Sequence, residues 1–162
     1  MIELMVSIVI LSILLGLATP SFKIWLQNVQ IRNAAETIQS GLQRARAEAV
    51  GRNVNVEFVL GANSSWVVRV VGGADIDTRS NDEGSKNATI AVTPAGATTV
   101  TFNSIGSLLA ANADGSLPFT RVDLDSSVLT AAESQNLRIT IGVGGNVRMC
   151  DPNAPAASLR AC

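Results

Sequence analysis

The stretch Ile2-Glu-Leu-Met-Val-Ser-Ile-Val-Ile-Leu-Ser-Ile-Leu-Leu-Gly-Leu-Ala18, followed by Thr19 and Pro20, decides how the chain is read. Glu3 heads a run with no further charge until Lys23. A carboxylate set against hydrocarbon is costly unless a partner satisfies it, and an ionisable group in such a run is a functional candidate. The run is at the short end for a spanning helix and would also suit the apolar part of a secretion signal. Against a discarded signal stand the acidic rather than basic head, the lack of a small-x-small cleavage site before Pro20, and the amphipathic pattern that continues beyond it. The segment is therefore expected to be retained.

Working outward, residues 21–50 carry one apolar stripe, Ile31, Ala34, Ala35, Ile38, Leu42, Ala45 and Ala49, at helical intervals. Arg32, Glu36, Arg44, Arg46 and Glu48 fall mostly off that line, and Gly51 is the expected stop. The two halves make a rod of roughly 75 Å at 1.5 Å per residue. A domain this small cannot bury such a rod, so its first half needs lipid or other copies of the same helix. Pro20 is expected to kink it by removing a backbone bond and crowding the preceding turn.

After Gly51 the period becomes alternating. Val54, Val56, Phe58 and Leu60 are expected to face one way, and Asn53, Asn55, Glu57 and Val59 the other. Gly61-Ala-Asn-Ser-Ser65 reads as a hairpin turn into Trp66–Val71, and residues 72–88 as a polar, mobile connection. Further short strands are expected near 89–93, 98–103, 118–124, 136–141 and 145–150. The fold class is α+β: residues 1–22 the apolar half of a long helix, 23–51 its amphipathic half, and 52–162 a β-rich head whose sheet packs on the stripe.

Composition narrows the chemistry. The 162 residues include no His, which removes the usual general base and the commonest zinc ligand. An enzyme could still work with carboxylates, but no pair of them stands out for catalysis. A net charge of -1 argues against a polyanion as main partner, and the absence of Tyr among scarce aromatics argues against a base-stacking platform. Cys150 and Cys162 lack zinc-site spacing; a disulfide closing the loop between them is the natural reading and implies an oxidising compartment, the alternative being two free buried thiols. Asp75, Asp77, Asp82 and Glu83 lie close in sequence but outside the register of a calcium loop, and read as solvated. Gly142-Val-Gly-Gly145 reads as a hairpin turn rather than a phosphate loop. Phe22 and Trp25 suit a membrane–water interface or, equally, core packing. Ser7, Ser12 and Gly16 would permit close helix packing.

The block Ile2–Val6, with Pro20 at its spacing, resembles the assembly helix of type IV pilins and type II secretion pseudopilins. Three later blocks resemble the GspH/FimT family in order: Gly41–Asn53 the end of its long helix, Thr101–Gly106 its mid-domain turn, and Leu137–Ile141 with Gly145–Pro152 its closing strands. The terminal Cys pair is more similar to its FimT/FimU minor-pilin branch than to the secretion pseudopilin. The resemblance implies a structural, non-enzymatic subunit without a cofactor, cleaved and N-methylated by prepilin peptidase. It would be held in the bacterial inner membrane by a single pass with its head in the periplasm, then joined to other major and minor pilins at or near the tip of a cell-surface pilus, where it helps initiate assembly. Glu3 matches the family's subunit-docking glutamate.

Two departures accompany the resemblance. The basic leader ending in Gly is not seen before Ile2, with Met1 in its place, as expected if the sequence begins at an internal methionine. DNA-binding members carry Gly-Arg-x-Arg near the C-terminus; here the stretch is Gly145-Asn-Val-Arg148. Arg148, Arg160 and Arg138 are the candidate phosphate contacts, enough for a weak, salt-sensitive interaction only. Two rivals to the pilus subunit follow: a type II secretion pseudopilin serving protein export, and a DNA-binding pilus subunit for DNA uptake.

Overall fold

The computed structural model describes residues 2–162, without the side chains of residues 14–20. One helix, α1, spans Ile2–Arg52. Eight strands follow: β1 Val56–Leu60, β2 Trp66–Val70, β3 Asp75–Arg79, β4 Ala88–Thr93, β5 Thr99–Phe102, β6 Arg121–Ser126, β7 Leu137–Ile141 and β8 Val147–Cys150. All their pairings are antiparallel.

The strands form two sheets rather than the single sheet expected, in the orders β3-β2-β1-β5 and β4-β6-β7-β8. The chain lays down β1 to β3 as a meander, crosses to the second sheet with β4, returns with β5 to the free edge of β1, and completes the second sheet with β6 to β8. Local alternation decides which face of a strand is buried but not which neighbour it pairs with, so the division was not readable from periodicity.

All seven residues of the helical stripe are fully buried, and strands of both sheets pack on them. Phe58, Phe102 and Phe119 are likewise fully buried, with Phe58 lying 5.5 Å from Trp66 and 6.3 Å from Phe119 between ring centroids. Gly41 lets the helix approach this aromatic group: a Cβ there would stand 2.7 Å from Phe58 Cε2 and 3.1 Å from the Trp66 ring.

Three local expectations are corrected. Gly51 is helical, and the stop comes from Asn53 at φ 54°. The Asn53 N–H donates to the Val50 carbonyl at 3.3 Å and the Val54 N–H to the Ala49 carbonyl at 3.3 Å, the paired bonds of a Schellman cap. Val54, spent in that cap, is 38% exposed, whereas Glu57 is 7% exposed and pairs with Arg69 on β2. Within 72–88 the structure places β3, whose Ile76 packs on the core; as an edge strand with one half-buried apolar side chain it carries almost no alternating signal.

Candidate functional site

The helix presents the first candidate surface. Every large apolar side chain from Ile2 to Ile13 is more than half exposed. Glu3 lies exposed in the first turn of this bare segment. The Ser7 hydroxyl donates to the Glu3 carbonyl and the Ser12 hydroxyl to the Ile8 carbonyl, each at 2.8 Å, so both close on their own helix. Among the described residues no helix is long and apolar enough to cross a membrane. The surroundings of Gly16 and the side chain of Pro20 lie outside what is described, and the expected kink at Pro20 falls with them.

Above the bare segment a polar collar ties the helix to the head. Gln30 Oε1 accepts from the Asn87 N–H and Gln27 Oε1 from Asn87 Nδ2, both at 3.0 Å. One turn round, Asn28 Nδ2 donates to the Glu133 carbonyl at 3.0 Å while its Oδ1 accepts from the Gln135 N–H at 2.9 Å. Sequence reading passed over these amides because their partners lie up to 107 residues away.

The second surface is the far end of the chain. Cys150 and Cys162 are joined by a disulfide. The loop they close is tied down further by the Asp151 N–H, which donates to the Arg160 carbonyl at 2.7 Å, and by Arg148 Nη2, which donates to the Ala161 carbonyl at 2.9 Å. Leu159 at the loop's crest is 99% exposed.

The cross-strand register puts Arg121, Arg138 and Arg148 on one face of the second sheet, since Arg121 and Arg148 both stand opposite Thr140 and Arg138 lies two residues along. Asp123 stands opposite Arg138 and meets both Arg138 Nε at 2.5 Å and Arg121 Nε at 3.0 Å. Of the candidate phosphate contacts, Arg138 is thus held by a carboxylate and Arg148 by the disulfide loop; Arg160 makes no ion pair among the described residues. Alternation over Arg121–Ser126 would have revealed Arg121 and Asp123 as members of this face. Beside them lies a shallow cavity of about 400 Å³ lined by Asp123, Asp125, Asn136, Arg138 and Asn153.

The remaining motifs are structural. Asp77 pairs with Arg44 at 2.8 Å and Glu83 with Arg79 at 3.7 Å, and among the described residues no group of three or more His, Cys, Asp or Glu is placed to hold a metal. Gly142–Gly145 is the turn between β7 and β8. A Cβ on Gly145, at φ 76°, would stand 1.9 Å from the Gly106 carbonyl oxygen, and Arg46 Nε donates to that same oxygen at 3.0 Å.

A long helix whose second half is sheathed by a β head, and whose apolar side chains from Ile2 to Ile13 stand bare, makes a pilin-like fold. A family model described as "Type II transport protein GspH" matches residues 34–160, well over half of the chain, and the protein belongs to this family. Two crystal structures of the type IV minor pilin FimU from Pseudomonas aeruginosa (strain PAO1) share the fold. One has a TM-score of 0.54 at 16% identity, covering 78% of this chain and 98% of that one. The other has a TM-score of 0.56 at 16% identity, covering 79% and 93%. No curated protein matches the sequence.

Proposed function

We propose that the protein is a minor pilin of a type IV pilus, a structural subunit that helps initiate assembly and resides at or near the tip. The observation that carries this reading is the bare apolar segment Ile2–Ile13, headed by Glu3 and part of one helix whose second half is buried in the head. Exposed apolar surface on this scale is stable only against lipid or other apolar helices. The inner membrane holds the segment before assembly, and neighbouring helices replace the lipid afterwards. Glu3, costly to leave unpaired once buried among neighbouring helices, sets the docking register by pairing with a cation on the adjoining subunit. Processing by prepilin peptidase and N-methylation of the precursor belong to the same reading.

Membership of a family named for type II transport favours a second reading, a type II secretion pseudopilin serving protein export. Deletion of the gene in its host separates the two. Loss of surface pili, restored by the wild-type gene but not by Glu3→Ala, is expected for the pilin. Intact pili with secreted enzymes trapped in the periplasm would overturn it in favour of the pseudopilin.

A further inference from the structure

Between the bare segment and the collar, the helix carries a third exposed group. Phe22, Trp25 and Leu26 are 61%, 59% and 41% exposed, and their i, i+3, i+4 spacing puts them on one face. The rings of Phe22 and Trp25 lie 5.7 Å apart between centroids. Lys23 is exposed in the same turn. The head does not cover these residues, although its nearest bonds to the helix begin at Gln27.

Charge and length point to one occupant. Between Glu3 and Glu36 the only charged residues are Lys23 and Arg32, both cationic. From Glu3 to Lys23 the helix rises about 30 Å, the thickness of a bilayer's hydrocarbon core. Trp is enriched where apolar and wet regions meet, because its ring is apolar while its N–H seeks a partner. Lysine at such a level extends its ammonium toward phosphate while its stem stays in the apolar layer.

We propose that Phe22, Lys23, Trp25 and Leu26 form an interfacial anchor for phospholipid headgroups on the head side of the bilayer, with Lys23 favouring anionic ones. The anchor fixes how deep the helix sits before assembly: aromatics at the headgroup level, the amide collar just above in water, and Glu3 at the opposite boundary. It rests on the membrane-held reading of residues 2–22.

Trp25 reports on its own depth, because the only other tryptophan, Trp66, is 5% exposed. The full chain is reconstituted in phosphatidylcholine–phosphatidylglycerol vesicles whose lipids are brominated either near the carbonyl or near the chain end. Flotation with the vesicles checks the membrane reading separately. Quenching is expected to be about twofold or more stronger with the shallow bromines, as an interfacial indole requires, and to vanish in Trp25→Phe. Protein that floats but is quenched most by the deep bromines, or by neither, overturns the anchor while leaving the membrane reading intact; the second outcome would assign the aromatic face to another helix. Protein that does not float overturns both. Lys23→Gln is expected to abolish any difference in shallow quenching between vesicles with and without phosphatidylglycerol, and persistence of that difference would overturn the role given to Lys23.

Discussion

Two glycines in the same helix, Gly41 and Gly51, should respond to alanine with opposite signs. Replacing an interior helical glycine by alanine stabilises by about 1 kcal/mol when nothing obstructs the methyl. Around Gly51 there is nothing within 4 Å of a Cβ, and the residue is helical, so Gly51→Ala should gain most of that amount, reduced somewhat by its place in the last turn. At Gly41 the same methyl would press on Phe58 Cε2 at 2.7 Å and on the Trp66 ring at 3.1 Å. Phe58 is fully buried between Trp66 and Phe119 and has no space to retreat into. Overpacking a filled core costs roughly 1–3 kcal/mol, which outweighs the propensity gain. Because both variants carry most of that gain, the difference between them is set mainly by the overpacking cost. A difference of about 2 kcal/mol corresponds to roughly 4–8 °C in Tm for a chain of this size. Thermal unfolding of the full chain in detergent, followed by near-ultraviolet circular dichroism, reads it directly. Gly41→Ala should melt below the wild type and Gly51→Ala above it. Gly41→Ala melting at or above Gly51→Ala would refute the close approach of helix and aromatic core.

Three further outcomes follow from the head. Reducing the Cys150–Cys162 bond, which closes a loop of sequence separation 12, should lower stability. For a loop of that size the loss is about 3 kcal/mol in the chain-entropy account, and coincident urea midpoints with and without dithiothreitol would contradict it. The Ser116 hydroxyl, and secondarily its backbone N–H, holds Asp114 below the ordinary aspartate pKa, so its contribution to stability is present above that ordinary value and is lost as pH falls through the lowered one. An NMR titration should find the Asp114 midpoint raised in Ser116→Ala; an unchanged midpoint would remove the hydroxyl as cause. Arg138 is neutralised by the Asp123 carboxylate, whereas Arg148 bonds only a neutral carbonyl and keeps its charge, so with Arg148 and Arg160 as the phosphate contacts any duplex DNA binding should fall about tenfold between 50 and 200 mM salt and be insensitive to Arg138→Ala. A markedly steeper salt slope, or loss of binding in that variant, would show that Arg138 and further cations take part.

The buried stripe of the helix was legible because its signal is local. Seven apolar residues at helical spacing predict one buried face, and all seven are buried. The change from helical to alternating period, the β1–β2 hairpin and the Gly142–Gly145 turn are legible for the same reason. What escaped depends on partners distant in sequence. β3 is one residue of core on a polar edge, the two-sheet division is a choice among neighbours, and Glu57 is buried because Arg69 faces it across the hairpin. The candidate phosphate contacts show the same limit. Arg138 and Arg148 are visible as cations in the sequence, but the Asp123 carboxylate and the Ala161 carbonyl that occupy them emerge only from strand register and loop closure. The collar residues Gln27, Asn28 and Gln30 read as ordinary solvated amides until the loops that meet them are placed.

The most direct test of the central claim, that this chain enters a pilus through its bare apolar helix and Glu3, is the composition of pili sheared from its host. Quantitative mass spectrometry of that fraction should find the wild-type protein at far below one copy per major subunit, and should find Glu3→Ala absent although present in the membrane fraction. Wild-type protein confined to the cell envelope, or Glu3→Ala entering sheared pili as readily as the wild type, would contradict the account.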